Sequence, residues 1–246
     1  MKIKKINANL SNIYMMDNFN GVIKQLKKEK EWLRGDIVIA TREERVKNTI
    51  LAHKLFPNFF PKAIALNNET YIREFINSPT LDNDPKNLEK VIEKMAVFHK
   101  EGITKIKNKK GIKIHRFGDL WEKGYSLFGD ILKINEYATV LTYTLGDAKA
   151  SNILSQSPFL SFDTEGFGIG DISEDITALI EGYQAGRKTD MVKKTLKLAG
   201  IKYSALDKNI VKKTLLGLAA IRSLEVITSS RQNNLYKESI EFLKNL

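Results

Sequence analysis

Hydrophobic and polar positions in the first 76 residues alternate in short runs, a pattern typical of β-strands. Asn and Ser residues separate the runs, and Asn20-Gly21 offers the positive φ angles of a hairpin turn. Strands are predicted over residues 4–10, 13–17, 21–26, 63–66 and 71–76. The start of the chain is therefore expected to be an antiparallel β-meander.

One helix interrupts this pattern. Thr41 is a suitable N-cap, and the acidic pair Glu43-Glu44 suits a first helical turn. The apolar positions that follow at helical spacing, before Pro57 ends the helix, are Val46, Ile50, Leu51 and Leu55. The helix is therefore expected to be amphipathic, and Ser78-Pro79 indicates a lobe boundary near residue 77.

From residue 84 onward the apolar positions recur with the period of an α-helix. Gly102 is expected to end the first of these helices as its C′ residue, and residues 103–120 are expected to form a loop. A helix over 120–132 and a strand over 140–144 are predicted next, followed by helices over about 172–185, 189–199, 207–228 and 232–245. We therefore predict an α+β fold with a small β-rich lobe, 1–76, and a larger, mainly helical lobe, 77–246.

Composition narrows the chemistry. The chain has 246 residues, of which 42% are hydrophobic, enough to bury a core, and it has no long apolar run of the length that a membrane span needs. We expect a soluble, cytoplasmic protein without a membrane partner. Because it has no cysteine and only three histidines, any metal is expected to have oxygen ligands.

Charge is distributed unevenly. The net charge is +11, but the lysines lie in runs typical of a solvated surface, so nucleic acid is not the expected partner, although the sequence leaves that partner open. Residues 147–175 instead have a negative net charge, because they contain six acidic residues and one basic residue, Lys149. A cation is expected to bind near this segment.

Three oxygen-bearing residues in that segment have the spacing that phosphoryl transfer requires. Asp147 is followed five residues later by Asn152, and Asp163 follows a second short apolar stretch. One carboxylate can accept a proton from an attacking hydroxyl, while an amide and a carboxylate hold Mg²⁺ against nucleotide phosphates.

At these residues the chain resembles the aminoglycoside phosphotransferase and choline kinase-like superfamily. The family signature reads H-G-D-x-x-x-x-N, then I-D-[FW]-E, then G-D-x-x-x-D. The matching residues are Gly146, Asp147 and Asn152; Asp163 and Glu165; and Gly170, Asp171 and Asp175. Upstream segments, including 10–14, 22–24, 71–76 and 96–99, are similar to the family's nucleotide loop, lysine strand, hinge and "L-A-x-L-H" helix, in the same order.

The resemblance implies a two-lobed protein-kinase-like fold and an ATP- and Mg²⁺-dependent transfer of phosphate to a hydroxyl of a small molecule. It further implies that Asp147 is the base and that Asn152 and Asp163 hold Mg²⁺. For the nucleotide it implies a loop including Ser11 and Asn12, a phosphate lysine, Lys24, paired with Glu43, and backbone contacts of Glu74 and Ile76 with adenine.

Some alternatives stay open. Glu44 is a rival to Glu43, which is preferred because its helix face is apolar. Asp171 and Asp175 are expected to be structural, with Asp175 bracing the catalytic loop, in which Leu145 replaces the family's histidine. A protein-kinase-like or RNA-associated kinase and a nucleotide-binding protein with weak catalysis are the other functions considered, and the acceptor is not identified by the sequence.

Overall fold

The computed structural model describes residues 3–7, 11–16, 20–27, 32–34, 37–107, 125–126, 129–130, 139–186 and 188–218. Its N-terminal part contains the strands β1 (Ile3–Asn7), β2 (Ser11–Met16), β3 (Gly21–Leu26), β4 (Trp32–Arg34), β5 (Ile37–Ala40), β6 (Ala63–Asn67) and β7 (Thr70–Glu74). Five of them form an antiparallel sheet in the order β1-β2-β3-β7-β6, and β4 and β5 pair with each other in a two-stranded ribbon. The predicted meander is confirmed, while residues 8–10 and 17 of the predicted strands, and residues 18 and 19 before Asn20-Gly21, lie outside the described residues.

Strand β3 turns one of its faces to the protein interior. Val22, Lys24 and Leu26 alternate along the strand and are buried, whereas Gln25 between them is exposed. Tyr71 of β7 is the register partner of Lys24, so its side chain lies on the same face. The sheet therefore carries a lysine inward, where it must meet opposite charge.

The helix α1 (Arg42–Leu55) begins as predicted. Thr41 accepts the backbone N–H of Glu44, and the Glu44 carboxylate accepts that of Thr41, which forms a capping box. The helix ends just before Pro57. Its buried stripe differs from the predicted apolar one: Arg45, Val46, Thr49 and Ala52 face inward, whereas Leu51 is 39% exposed.

The helix α2 (Leu88–Ile106) buries the predicted face from Leu88 to His99. The prediction that Gly102 ends it is wrong, because the helix continues for one more turn, to Ile106; residues 108–120 of the predicted loop lie outside the described residues. A Cβ at Gly102 would lie 2.8 Å from the backbone nitrogen of Tyr143. A glycine suits this position because the strand that contains Tyr143 passes so close to the helix that little room is left for a side chain.

That strand is β8 (Leu141–Thr144), which pairs with β9 (Gly168–Asp171) and is followed in the chain by α3 (Glu174–Ala185) and α4 (Thr189–Tyr203). Residues 210–218 are also helical. The predicted helix over 232–245 and most of that over 120–132 lie outside the described residues. Within the part of the chain that is described, no helix is long and apolar enough to cross a membrane.

An aromatic cluster supports the β8-β9 hairpin. Tyr143 stacks on Phe167 with ring centroids 5.2 Å apart, and both rings contact Phe56, just after α1. Phe98 of α2 also contacts Phe56. The core thus fixes the antiparallel pair of strands β8 and β9. The acidic segment, residues 147–175, follows β8 in the chain and continues through β9. The later part of the described chain is mainly helical.

Candidate active site

A sharp loop after β8 carries the predicted base. Gly146 has a φ of 75°, and a Cβ there would overlap the backbone of Gly166, so only glycine fits. Asn152 Nδ2 donates to the backbone carbonyl and to Oδ2 of Asp147, both at 3.0 Å. Lys149 Nζ lies 3.2 Å from Asp147 Oδ1. The loop therefore gathers a carboxylate, an amide and an ammonium group.

Three buried residues, which we call the loop brace, hold this loop from beneath: Asp175, His99 and Tyr203. The Asp175 carboxylate accepts the backbone N–H groups of Leu145, at 2.9 Å, and Gly146, at 3.2 Å. His99 Nε2 lies 2.9 Å from Asp175 Oδ2, and the Tyr203 hydroxyl lies 2.9 Å from His99 Nδ1.

The loop brace agrees with the prediction that Asp175 braces the loop backbone. Leu145, which replaces the family's histidine, is fully buried in the core. Burial, with Asp175 nearby, raises the pKa of Tyr203, so its hydroxyl stays protonated and can donate to His99. Rigidity of the loop therefore comes from packing of Leu145 and from Asp175.

Asp163 lies on a second loop, which Ser161 connects to the first. The buried Ser161 hydroxyl lies 2.9 Å from the carbonyl oxygen of Asn152 and accepts the backbone N–H of Asp163 at 3.1 Å. Sequence reasoning did not single out Ser161. Its contacts couple the backbones of the two residues predicted to hold Mg²⁺.

Lys24 reaches this loop from the sheet. Its Nζ lies 3.1 Å from Asp163 Oδ2 and 2.7 Å from Glu165 Oε1. Burial opposes the charged ammonium, but the two carboxylates hold the pKa of Lys24 above its ordinary value. Burial would raise the pKa of Asp163, but Lys24, together with Arg73 and Arg45, outweighs it and holds that pKa below its ordinary value.

The predicted ion pair between Lys24 and Glu43 is not formed. Glu43 is half-exposed and lies 2.6 Å from Lys47, one turn along α1. The reason is the orientation of α1, whose inward stripe begins at Arg45 and leaves Glu43 on another face. The rival, Glu44, is engaged in the capping box, so neither acid takes the predicted role.

Arg45 occupies the inward position on α1. Its Nε donates to Glu165 Oε2 at 2.8 Å, and its Nη2 donates to the same oxygen. Tyr71 donates its hydroxyl to Glu165 Oε1 at 2.8 Å. We call the five residues Lys24, Arg45, Tyr71, Asp163 and Glu165 the lysine cluster. Sequence reasoning matched Glu165 to a motif but assigned it no role. It did not identify Arg45, because a charged residue in a helix pattern normally indicates a surface position.

The remaining predicted nucleotide residues lie at or just beyond the ends of two inner strands of the sheet, β2 and β7. Ser11 is buried on the same face of the sheet as Lys24, whereas Asn12 lies on the opposite face, since Ile13 is the register partner of Lys24. The Glu74 backbone N–H donates to the carbonyl of Lys62 at 2.9 Å. Ile76 follows the end of β7 and is half-buried.

The donor set suits a hard cation. Asn152 uses its nitrogen on Asp147, which leaves its amide oxygen for a metal, and Asp163 offers the oxygen that does not face Lys24. The described residues include no group of three or more His, Asp or Glu side chains that could hold a metal by themselves. Phosphate and water oxygens would have to complete the shell of Mg²⁺, which commonly keeps such ligands.

No protein-family model matches the chain, and no curated protein matches it. Solved structures resemble it over its whole length. A choline kinase from Cryptosporidium parvum Iowa II superposes with a TM-score of 0.64 at 13% identity, covering 100% of this chain and 89% of that one. The choline kinase LicA from Streptococcus pneumoniae superposes with a TM-score of 0.61 at 13% identity, covering 100% of this chain and 94% of that one.

Two further neighbours act on other small molecules. A Plasmodium vivax ethanolamine kinase gives a TM-score of 0.57 at 14% identity, covering 99% of this chain and 81% of that one. The ADP-bound aminoglycoside phosphotransferase APH(2'')-Ib superposes with a TM-score of 0.54 at 14% identity, covering 99% of this chain and 92% of that one. These are the kinds of protein that the sequence resemblance named, and the predicted α+β, protein-kinase-like fold is confirmed.

Proposed function

We propose that this protein is an ATP- and Mg²⁺-dependent phosphotransferase that acts on a hydroxyl group of a small molecule. One contact supports this most directly: Lys24 lies 3.1 Å from Asp163, although 139 positions separate them in the chain. The predicted phosphate lysine and a predicted metal ligand thus meet, as phosphoryl transfer needs. The structural neighbours are kinases of choline, ethanolamine and aminoglycosides, which supports a small hydroxyl-bearing acceptor.

Asp147 is the proposed general base. It takes the proton of the acceptor hydroxyl as the new oxygen–phosphorus bond forms and the bond from the γ-phosphorus to the leaving oxygen of ADP breaks. Asn152 orients the Asp147 carboxylate through its Nδ2. The loop brace keeps both residues in place before the substrates arrive, so little ordering remains for the reaction itself.

Asn152 and Asp163 are the proposed ligands of Mg²⁺, which neutralises charge on the nucleotide phosphates when it is bound. Lys24 contributes a second positive charge to the phosphates. Ser11 and Asn12 belong to the proposed nucleotide loop, and the backbone of Glu74 and Ile76 is the proposed contact for adenine. In this proposal all contacts to the nucleotide come from the sheet and the acidic segment.

The test measures metal-dependent nucleotide binding and then turnover. Calorimetry with ATP or ADP, with and without Mg²⁺, should show binding that depends on the metal and is lost in Asp163→Ala. Asn152→Ala should have a milder effect, because an amide oxygen is a weaker ligand than a carboxylate. Unchanged metal dependence in Asp163→Ala would contradict the metal assignment.

Turnover is then followed as ATP consumption with sugars, amino alcohols, nucleosides and aminoglycosides as acceptors. Acceptor-dependent ADP release that Asp147→Ala abolishes would support the proposal. Tight nucleotide binding without turnover on any acceptor would favour the weakly catalytic alternative, and transfer to a protein would favour the protein-kinase-like one.

A further inference from the structure

Glu165 is enclosed by the protein, unlike the neighbouring Asp163. The Glu165 side chain is 6% exposed, whereas that of Asp163 is 24% exposed. Glu165 Oε1 contacts Lys24 and Tyr71, and Oε2 contacts Arg45 twice. Each carboxylate oxygen thus has two donor atoms of the protein against it, and no face of the group is left for a metal or a phosphate.

The position of Glu165 is fixed from both sides. Asn48 of α1 donates to its backbone carbonyl at 2.9 Å, and Arg45 of the same helix holds its carboxylate. Tyr71 of β7 approaches from the sheet, and burial, with Glu165 beside it, raises the pKa of Tyr71. Tyr71 therefore stays neutral and donates its proton to Glu165.

The formal charges of the lysine cluster sum to zero. Lys24 and Arg45 contribute two positive charges, and Asp163 and Glu165 contribute two negative ones. If Asp163 turns to a metal, Lys24 loses one partner and keeps Glu165. A second carboxylate that cannot itself bind the metal therefore keeps the buried ammonium in place while the site fills.

We propose that Glu165 is the positioning residue for Lys24 and that Arg45 and Tyr71 fix Glu165 in that role. This inference rests on the proposed function, in which Lys24 contacts the phosphates. Helix α1 then supplies a cation to a carboxylate of the acidic segment, instead of supplying a carboxylate to the lysine. Glu43, on the outer face of α1, has no part in positioning Lys24.

The experiment measures the chemical reactivity of Lys24 without any nucleotide. Lysines are modified with a small amine-specific reagent between pH 7 and 10, and the rate at each site is read by mass spectrometry. Lys24 is buried and held between two carboxylates, so the rate at Lys24 should be very low in the unmodified protein. Glu165→Gln should increase it severalfold, because the amine loses the carboxylate 2.7 Å away that fixes its position.

Matched variants and an internal reference accompany this measurement. Glu43→Gln removes the carboxylate that sequence reasoning favoured and should not alter the rate at Lys24. Glu93→Gln, on the exposed face of α2, controls for the loss of one negative charge. Lys94 is partly buried against the carbonyls of Ser157 and Phe159, so a rise at Lys94 would report unfolding instead of a local change.

Nucleotide affinity supplies the second readout. In Glu165→Gln the Kd for Mg-ATP should rise about tenfold, with Tyr71→Phe showing a smaller rise because Lys24 and Arg45 still hold Glu165. If Glu165→Gln does not fold, the double variant Arg45→Gln/Glu165→Gln removes both charges of the buried pair and should show the same reactive Lys24.

Two results would overturn the inference: an unchanged rate at Lys24 in both Glu165 variants, or a larger rise in Glu43→Gln than in Glu165→Gln. Failure of the proposed function looks different. A wild-type protein that binds no Mg-nucleotide would contradict that function, whereas the labelling comparison needs no nucleotide and would still decide whether Glu165 controls Lys24.

Discussion

The two halves of the candidate site are supported in different ways. The loop that carries Asp147, the proposed base, rests on the loop brace, in which one buried carboxylate accepts backbone N–H groups and is backed by His99 and Tyr203. The lysine cluster instead combines four charged groups, from β3, α1 and the loop before β9. The loop is therefore held by hydrogen bonds inside the core, whereas the lysine cluster is held by buried charges of opposite sign.

This difference distinguishes the part of the site whose shape is fixed before a ligand binds from the part whose contacts a ligand can change. All three residues of the loop brace are buried, so the loop is expected to keep its shape with or without ligands. In the lysine cluster, Asp163 is both a partner of Lys24 and a proposed metal ligand, so binding must redistribute its contacts. Changes on the loop side should therefore affect chemistry and stability, and changes on the cluster side should affect binding and pH dependence.

The largest effect is expected from the residue that the loop presents. Asp147→Ala should lower kcat by about 10²–10⁴, the usual contribution of a general base, and leave nucleotide affinity nearly unchanged. Steady-state kinetics with a confirmed acceptor, together with calorimetric nucleotide titration, measure the two quantities. Turnover within a few-fold of wild type would refute the assignment of Asp147 as base.

The next largest effect comes from removing the loop brace. Asp175→Ala leaves the buried N–H groups of Leu145 and Gly146 and the ring of His99 without their acceptor, which should lower the free energy of unfolding by roughly 3 kcal/mol. Urea unfolding followed by circular dichroism measures it. Asp175→Asn, which keeps one oxygen acceptor, is the control and should cost less; equal stability of both variants and wild type would contradict the brace.

The loop side was also the more predictable one. The spacing of Asp147 and Asn152 predicted that both residues lie on one loop, and Asp175, in the first turn of a helix, was expected to brace that loop, although its partner Leu145 is 30 positions away. The strands of the five-stranded sheet, the start of α1 and the buried face of α2 followed from local patterns. These features depend on hydrogen bonds and periodicity within one segment.

The cluster side depended on packing that no local pattern encodes. Glu43 was favoured because Val46 and Ile50 share its helix face, but α1 is rotated so that Arg45 and Thr49 point inward. That rotation is stable because Glu165, 120 positions away in the chain, neutralises the buried Arg45. A charge is normally a sign of a surface position, so the pattern could not reveal this pair.

A third prediction concerns the strand that leads into the loop. Gly102→Ala places a methyl group 2.8 Å from the backbone nitrogen of Tyr143, so β8 must shift, and stability should fall by about 1–3 kcal/mol. Gly182→Ala in α3 is the matched control, because its nearest new contact is 3.9 Å away, and it should be neutral or stabilising. Thermal unfolding of the pair checks this; equal melting temperatures would show that β8 adapts freely.

The smallest and most gradual effect is expected on the cluster side, in acid. Lys24 holds the pKa of Asp163 below its ordinary value, so this ion pair contributes stability above the unfolded pKa of about 3.9 and loses it as the pH falls through the lower, folded pKa. In Asp163→Asn this contribution is absent, so urea unfolding measured from pH 6 to pH 3 should show a shallower loss of stability than in wild type. Lys24→Met removes the partner that lowers the pKa, so the difference between its stability and that of wild type should shrink towards pH 3. Identical pH profiles for all three proteins would mean that the ion pair contributes no stability and that Asp163 is held by its backbone alone.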